Sequence, residues 1–159
     1  MEDQTDPRHL LVKIAEALED LTIPYAITGG MAIYVWGRPR FTADIDVIVQ
    51  LREQDIDALS RVLKKLSKAS YIDTRTMQRA LERHGEFNFI DGASGIKVDF
   101  WVLKKGEFEE SQLKRRIGKE VLNRIVFFVS PEDLILSKLR WHAMSESSRQ
   151  LEDVESIIK

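Results

Sequence analysis

The sequence predicts an α/β protein of the α+β type, in which helices pack on a mixed β-sheet. First, segments with helical spacing of apolar residues alternate irregularly with short apolar runs that are typical of strands. Second, 43% of the 159 residues are hydrophobic and 31% are charged, a composition typical of a folded chain. Third, the chain has no cysteine, which excludes disulfide bridges, thiolate metal sites and a cysteine nucleophile. We expect residues 1–159 to form a single domain.

Proline and glycine divide the first half of the chain into its elements. Asp6 and Pro7 have the character of an N-cap and a first helical residue, and apolar residues then recur at helical spacing. Pro24 precedes a short apolar run, which a glycine pair ends. The predicted elements are a helix over 7–21, a strand over 25–28, a turn at Gly29-Gly30, a short helix over 31–36, a strand over 44–51 and a helix over 53–68.

The second half begins with a short helix and then a hairpin. Two apolar runs flank the turn-forming segment 91–94, which predicts two antiparallel strands. Ser130 followed by Pro131 and two acids is a strong signal for the start of a helix. The predicted elements are a helix over 74–84, strands over 86–90 and 95–103, a helix over 107–116, a strand over 121–129, and helices over 131–144 and 149–158.

Asp44 and Asp46 are the most informative pair for function. Residues two apart on a strand point to one face, so both carboxylates project side by side while Ile45 and Val47 enter the core. Their repulsion is relieved by a hard cation such as Mg²⁺, which binds carboxylate oxygens together with substrate phosphates. The other interpretation is a strand start whose acids are hydrated.

Asp99 places a carboxylate inside an otherwise apolar strand. A buried carboxylate without a partner costs roughly several kcal/mol, so such a residue has a partner or a role. If this strand lies beside that of Asp44 and Asp46, three carboxylates converge as in a two-metal phosphoryl-transfer site. The alternative is an ion pair with an arginine. Gly29 and Gly30, between a strand and a helix, would allow close approach of a phosphate or form an ordinary turn.

Basic and aromatic residues supply weaker candidates. Arg38 and Arg40 flank the segment that joins the glycines to the aspartates, a position suited to phosphate contact. A basic cluster is either a path for an RNA backbone or a solvated face; its members are Lys104, Lys105, Lys114, Arg115 and Arg116. The net charge of −2 disfavours a nucleic acid held by bulk charge alone. The three tryptophans either stack on a base or pack in the core; they are Trp36, Trp101 and Trp141. We expect structural or surface roles for His9, His84 and His142.

Three separated segments together resemble a known family. They are Gly29-Gly30, the stretch Gly37–Asp46 with its Gly-Arg-Pro-Arg start, and Val98-Asp99-Phe100. Their order is similar to that in nucleotidyltransferases of the DNA polymerase beta superfamily. With the segment Ser130–Lys138, the chain resembles small bacterial AbiEii-like nucleotidyltransferases over most of its length. The resemblance implies the nucleotidyltransferase fold and transfer of a nucleoside monophosphate from an NTP to an acceptor hydroxyl.

The resemblance also implies roles for single residues. Asp44, Asp46 and Asp99 would bind Mg²⁺ or Mn²⁺, and Asp99 would help to activate the attacking group. With the arginines named above, the candidates for nucleotide binding are Gly29, Gly30, Arg38, Arg40, Thr42 and Lys138. Asp153 matches an acid of the AbiEii-like proteins. The chain departs from the pattern at Met31, where many superfamily enzymes carry a serine, and at Glu152, where relatives often carry an arginine.

Two classes of function follow from this resemblance. An enzyme would modify a hydroxyl of RNA such as tRNA, of a protein or of a small molecule such as an antibiotic. The alternative is a non-catalytic protein of the antitoxin type that neutralises a protein partner; Met31 and a chain that ends at Lys159 favour it, and the three acids favour the enzyme. We expect a cytoplasmic protein without a membrane partner, because the start is acidic and polar and the longest uncharged run is broken by Pro24.

Overall fold

The structure, a computed structural model, describes residues 6–38, 44–145 and 148–158. The helices of these residues are α1 (Pro7–Asp20), α2 (Gly29–Trp36), α3 (Ile56–Lys64), α4 (Thr74–Arg83), α5 (Glu107–Lys114), α6 (Pro131–Ser145) and α7 (Ser148–Ile158). The strands are β1 (Tyr25–Thr28), β2 (Asp44–Val49), β3 (Glu86–Ile90), β4 (Lys97–Val102), β5 (Ile117–Val121) and β6 (Arg124–Phe128).

The six strands of the described part form one mixed sheet in the order β3-β4-β2-β1-β6-β5. β2 pairs with β4 in parallel, as β1 does with β6, and the other pairings are antiparallel. The predicted α/β class with a mixed sheet is therefore confirmed. Helices α1 and α3 pack against each other, and α6 and α7 form a second pair that contacts α2.

β2 lies inside the sheet, and its two faces differ as the sequence pattern predicts. Ile45, Val47 and Val49 are fully buried, whereas Asp44 and Asp46 are half-buried on the opposite face. The apolar face packs into the main core with the buried residues of the neighbouring strands. The acidic face is consequently the one that remains available for a site.

Capping residues define two helix starts as predicted. The Asp6 carboxylate accepts a hydrogen bond from the Arg8 backbone N–H at 3.0 Å at the start of α1. The Ser130 hydroxyl accepts one from the Asp133 backbone N–H at 3.1 Å at the start of α6. Side-chain caps of this kind satisfy backbone donors that the helix itself leaves unpaired.

Three predicted elements differ from the structure. The single strand over 121–129 is wrong, because β5 and β6 form a hairpin across Leu122 and Asn123, which adopt φ of 47° and 69°. The predicted helix over 53–68 is a 3₁₀ turn, Glu53–Asp55, followed by α3, which ends at Lys64. The glycine pair starts α2 instead of forming a separate turn. The other bounds agree within two residues.

The described part of the chain contains no helix with the length and apolar character needed to cross a membrane.

Candidate active site

The acidic face of the sheet centre brings the three predicted aspartates together. β2 and β4 are neighbours, with Asp46 opposite Asp99 and Asp44 opposite Lys97. An indole N–H of Trp101 donates to Asp46 Oδ1 at 3.3 Å. Asp99 Oδ2 lies 3.5 Å from the Lys97 ammonium. The charged partner of Asp99 is thus a lysine on its own strand and not the arginine considered above.

Burial and like charge act on two of these carboxylates. Burial raises the pKa of Asp46, and the charges of Asp99 and Asp44 raise it further, while the Trp101 hydrogen bond opposes them. Burial also raises the pKa of Asp99, whereas the neighbouring Lys97 lowers it. The raised pKa of Lys97 has the charge of Asp99 as its main cause. A cation bound here would relieve this repulsion.

Gly29 closes the site from the side of α2. Its φ of +62° lies in the left-handed region, where side chains with a Cβ are strained. A Cβ at this position would overlap the carboxylate of Asp46. Thr28, the residue before it, pairs directly with Asp46 in the sheet. The glycine therefore lets the first turn of α2 approach the carboxylates more closely than any other residue would.

A cavity of about 430 Å³ opens on the same face of the sheet. Gly29 and Asp46 lie at one part of its wall, Trp101 at another, and Lys138 and Trp141 of α6 at a third. A volume of this size is in the range of small-molecule sites. Of the three aspartates, Asp46 lines the cavity, so a ligand there would meet its carboxylate.

Lys138 lines the cavity and forms an ion pair with a residue of α7. Its ammonium lies 3.2 Å from a carboxylate oxygen of Asp153, and both side chains are largely buried. The charge of Lys138 also lowers the pKa of Asp46, although less than burial raises it. The predicted position of Lys138 near the carboxylates is thus consistent with the fold, and its predicted contact with nucleotide stays a prediction.

The remaining candidates are distributed differently. Gly30 is buried in α2, Arg38 is exposed after it, and Arg40 and Thr42 lie outside the described residues. Within the basic cluster, the guanidinium of Arg115 pairs with the buried Asp133 at 2.5 Å. The cluster is therefore partly committed to ion pairs that hold the fold.

Two further members of the basic groups have distinct surroundings. Arg116 lies over the ring of Phe127 at 5.2 Å, a packing role, whereas Lys104 lines the cavity.

Among the tryptophans, Trp36 donates a hydrogen bond to the Val129 carbonyl at 2.8 Å and packs against the core.

Sequence reasoning missed several residues of the cavity wall, and two of them are polar residues with distinct surroundings. His84 lies where α4 ends, and its Nδ1 donates to the Leu103 carbonyl at 3.2 Å, because a carbonyl oxygen only accepts. Gln150 of α7 is the second, and it is buried. The spacing of the sequence holds no signal for either, since both reach the cavity through tertiary packing.

The carboxylates fit a divalent metal in type and in strand position. Their oxygens are the ligands that Mg²⁺ prefers, and adjacent strands bring them to one face. Among the described residues, however, no group of three or more acids or histidines surrounds one point closely enough to hold an ion. Asp46 and Asp99 instead contact Trp101 and Lys97. Binding a metal would therefore require these two side chains to exchange their present partners for the ion.

This fold is that of the nucleotidyltransferases, as comparison with solved structures shows. Residues 10–158 match the family described as nucleotidyl transferase AbiEii toxin, type IV TA system, and the chain belongs to that family. This assignment confirms the resemblance and makes the protein a nucleotidyltransferase. A search of the curated proteins found no match to the sequence.

Three solved structures illustrate the similarity of fold. The antibiotic-resistance factor ANT(2'')-Ia has a TM-score of 0.63 at 15% identity, with 98% of this chain and 84% of that chain covered. The lincosamide antibiotic adenylyltransferase LnuA with lincomycin bound gives 0.60 at 12% identity, with 96% and 98% covered. A putative nucleotidyltransferase, TM1012 from Thermotoga maritima, gives 0.60 at 18% identity, with 92% of each chain covered.

Proposed function

We propose that the protein transfers a nucleoside monophosphate from an NTP to an acceptor hydroxyl and releases pyrophosphate. The observation that carries this proposal is the alignment of Asp46 with Asp99 on adjacent strands, beside a cavity whose wall Asp46 forms together with Gly29. Residues 1–159 would act as one nucleotidyltransferase domain in the cytoplasm. Asp44, Asp46 and Asp99 would hold Mg²⁺ or Mn²⁺, which neutralises phosphate charge when bound.

The chain's own residues would bind and orient the reactants. The first turn of α2, with Gly29 and Gly30, offers backbone N–H groups to the phosphates, and a helix N-terminus favours an anion. Lys138 adds a positive charge on the opposite wall, and Arg38, Arg40 and Thr42 would extend nucleotide binding along the segment that follows α2. The phosphates would thus lie on the cavity side of the first turn of α2 and Asp46, which are in close approach.

Asp99 would accept the proton of the attacking hydroxyl. The hydroxyl oxygen forms a bond to the α-phosphorus, the bond from that phosphorus to the bridging oxygen breaks, and pyrophosphate leaves with the electron pair. Burial raises the pKa of Asp99 in the metal-free protein, where this carboxylate is a stronger base than an exposed aspartate.

The acceptor is a hydroxyl of RNA, of a protein or of a small molecule. The family description names a toxin of a toxin–antitoxin system, which supports a macromolecular target and a protein partner of that type. The descriptions of two similar structures name a bound antibiotic or its adenylyl derivative, which supports a small acceptor. Incubation with Mg²⁺, each α-labelled NTP, and tRNA, cell proteins or antibiotics would identify the class that receives the label.

A non-catalytic role is the second candidate, and Met31 favours it. The Met31 side chain is 2% exposed and belongs to the core, so this position offers no hydroxyl to a phosphate. Calorimetric titration with the four NTPs in Mg²⁺ separates the two candidates. Binding and label transfer that are abolished in Asp46→Asn but retained in Asp57→Asn, an exposed position of α3, would support the enzyme. Failure of every NTP to bind and of every acceptor to take label would contradict it.

A further inference from the structure

Gln150 carries a buried acceptor that its surroundings leave unused. The residue is 9% exposed, and its Oε1 has no hydrogen-bond partner among the described residues. An acceptor removed from water without a donor destabilises the folded state, so native proteins rarely keep one without a reason. The same side chain lines the cavity beside the carboxylates. A ligand in the cavity is therefore the natural source of the missing donor.

An ion pair in the next helical turn of α7 holds Gln150 in position. Asp153 lies three residues further on, on the same side of the helix, and it pairs with Lys138 of α6. Leu134 and Lys138 of α6 line the cavity together with Gln150. Gln150 thus belongs to the wall that α6 and α7 build together, opposite the sheet.

The rest of the cavity suits a flat ring without charge. Its aromatic wall consists of Trp101, Phe108 and Trp141, and apolar side chains such as Ile48 and Leu134 extend it. At this wall Arg140, which lies over the Phe108 ring, is already paired with Glu109 at 3.4 Å. A planar heterocycle that stacks on the indoles and donates one hydrogen bond satisfies all of these features.

We propose that Gln150 reads the base of the NTP by accepting a hydrogen bond from the exocyclic amino group of adenine or cytosine. This proposal rests on the proposed function, because it assigns the base of the same nucleotide to this part of the cavity. Guanine and uracil carry a carbonyl at the corresponding ring position. A carbonyl facing Gln150 Oε1 would bring two acceptors together, so ATP and CTP bind more tightly than GTP and UTP.

Calorimetric affinities for the four NTPs in Mg²⁺ test the proposal. Gln150→Met removes the acceptor while it keeps an unbranched side chain of similar length. We expect it to weaken binding of ATP and CTP by about threefold to tenfold, which is the contribution of one hydrogen bond, and to strengthen binding of GTP and UTP, because their carbonyl no longer faces an acceptor. Gln150→Glu keeps the acceptor and should keep the base preference. Gln78→Met, on α4 away from the cavity wall, is the matched control.

A structural role for Gln150 predicts a different result. If the carboxamide only held α7 in place, Gln150→Met would lower the apo melting temperature and weaken all four NTPs alike. Removal of an unsatisfied buried acceptor should instead leave that temperature unchanged or raise it.

Measurements on the unmodified protein keep the proposal testable even where a variant fails to fold. ATP should bind about threefold to tenfold more tightly than purine riboside triphosphate, which lacks the amino group, and CTP should exceed its 4-deamino analogue likewise. Equal affinities within these pairs, or a preference for GTP or UTP, would overturn the role of Gln150 and leave the proposed function intact. If no NTP binds at all, the proposed function fails first.

Discussion

Asp46 is subject to two effects that disfavour its charge, burial and the nearby carboxylates of Asp99 and Asp44. Its folded-state pKa is therefore above the value of 3.8 expected for an unperturbed aspartate. Between these two pKa values the folded state binds more protons than the unfolded chain, so stability contributed at this site falls as pH rises through that window. At neutral pH the clustered negative charge of the site therefore lowers the stability of the folded state.

Asp46→Asn should accordingly stabilise the apo protein at pH 7 and abolish activity. The gain should shrink as pH falls toward 3.8 and vanish below it, because the wild-type carboxyl is then protonated in both states. Urea denaturation of both proteins between pH 3.5 and 7, without metal, measures the difference. Loss of transfer by at least ~100-fold is expected if the carboxylate acts directly. A variant less stable than wild type at pH 7 would indicate a structural role instead.

Asp99→Asn separates a chemical role from an ion pair. Lys97 is 41% exposed, so removal of its partner leaves an ammonium that water can solvate. We expect a stability change below about 1 kcal/mol and a loss of transfer of ~100-fold or more. Lys97→Met breaks the same ion pair but keeps the Asp99 carboxylate, and it serves as the control. A loss of ~3–5 kcal/mol in the apo Asn variant, the cost of breaking a buried pair, would contradict this assignment.

Gly29→Ala tests the close approach of α2 to the carboxylates. The added Cβ meets Asp46 and must also adopt a φ of +62°, so we expect a loss of about 1–3 kcal/mol of unfolding free energy. Gly85→Ala is the matched control, since a Cβ there meets no described atom within 4 Å. Denaturant unfolding of both variants checks the difference. Equal stabilities would show that α2 can move away from Asp46 without cost.

At the scale of elements, the hairpin of β5 and β6 shows where sequence reasoning fails. Its two-residue turn holds Leu122 and Asn123 at positive φ, although a leucine there carries no turn signal. β5 is also mostly exposed, and it contains Gly118 and two adjacent charged residues, so its pattern does not predict a strand. Long-range pairing with β6 stabilises what local propensity does not.

The same turn provides a prediction about stability. Leu122→Asn together with Asn123→Gly introduces the residues that tolerate positive φ at both positions of a two-residue hairpin. We expect a gain of about 0.5–1 kcal/mol from relief of backbone strain. The exposed Ile125→Thr on β6 controls for the loss of apolar surface. A decrease in stability would mean that Leu122 contributes more by packing than its backbone costs.

At the scale of the whole molecule, the sequence predicts the central sheet better than the cavity. The alternation in β2 and the acid within β4 identified the two acidic strands, because strand geometry is local. That these strands are neighbours was only a condition of the sequence argument, and the long-range pairing of β2 with β4 fulfils it. His84 and Gln150 reach the same space from α4 and α7, which no spacing of the sequence links to β2. Wall residues of this kind depend on helix packing, and only the three-dimensional structure identifies them.

The fold as a whole should be stabilised by the nucleotide it is proposed to bind. A ligand that binds only the folded state at about 100 times its Kd adds roughly 2.7 kcal/mol. For a chain of this size that corresponds to a rise of about 5–10 °C in Tm. Scanning calorimetry with Mg²⁺ and each NTP measures the rise, and Asp46→Asn should remove it although its apo Tm is not lower. Because the carboxylates repel one another without a cation, Mg²⁺ alone should produce part of the rise. A Tm that responds to neither Mg²⁺ nor any NTP would mean that this face of the sheet binds no nucleotide.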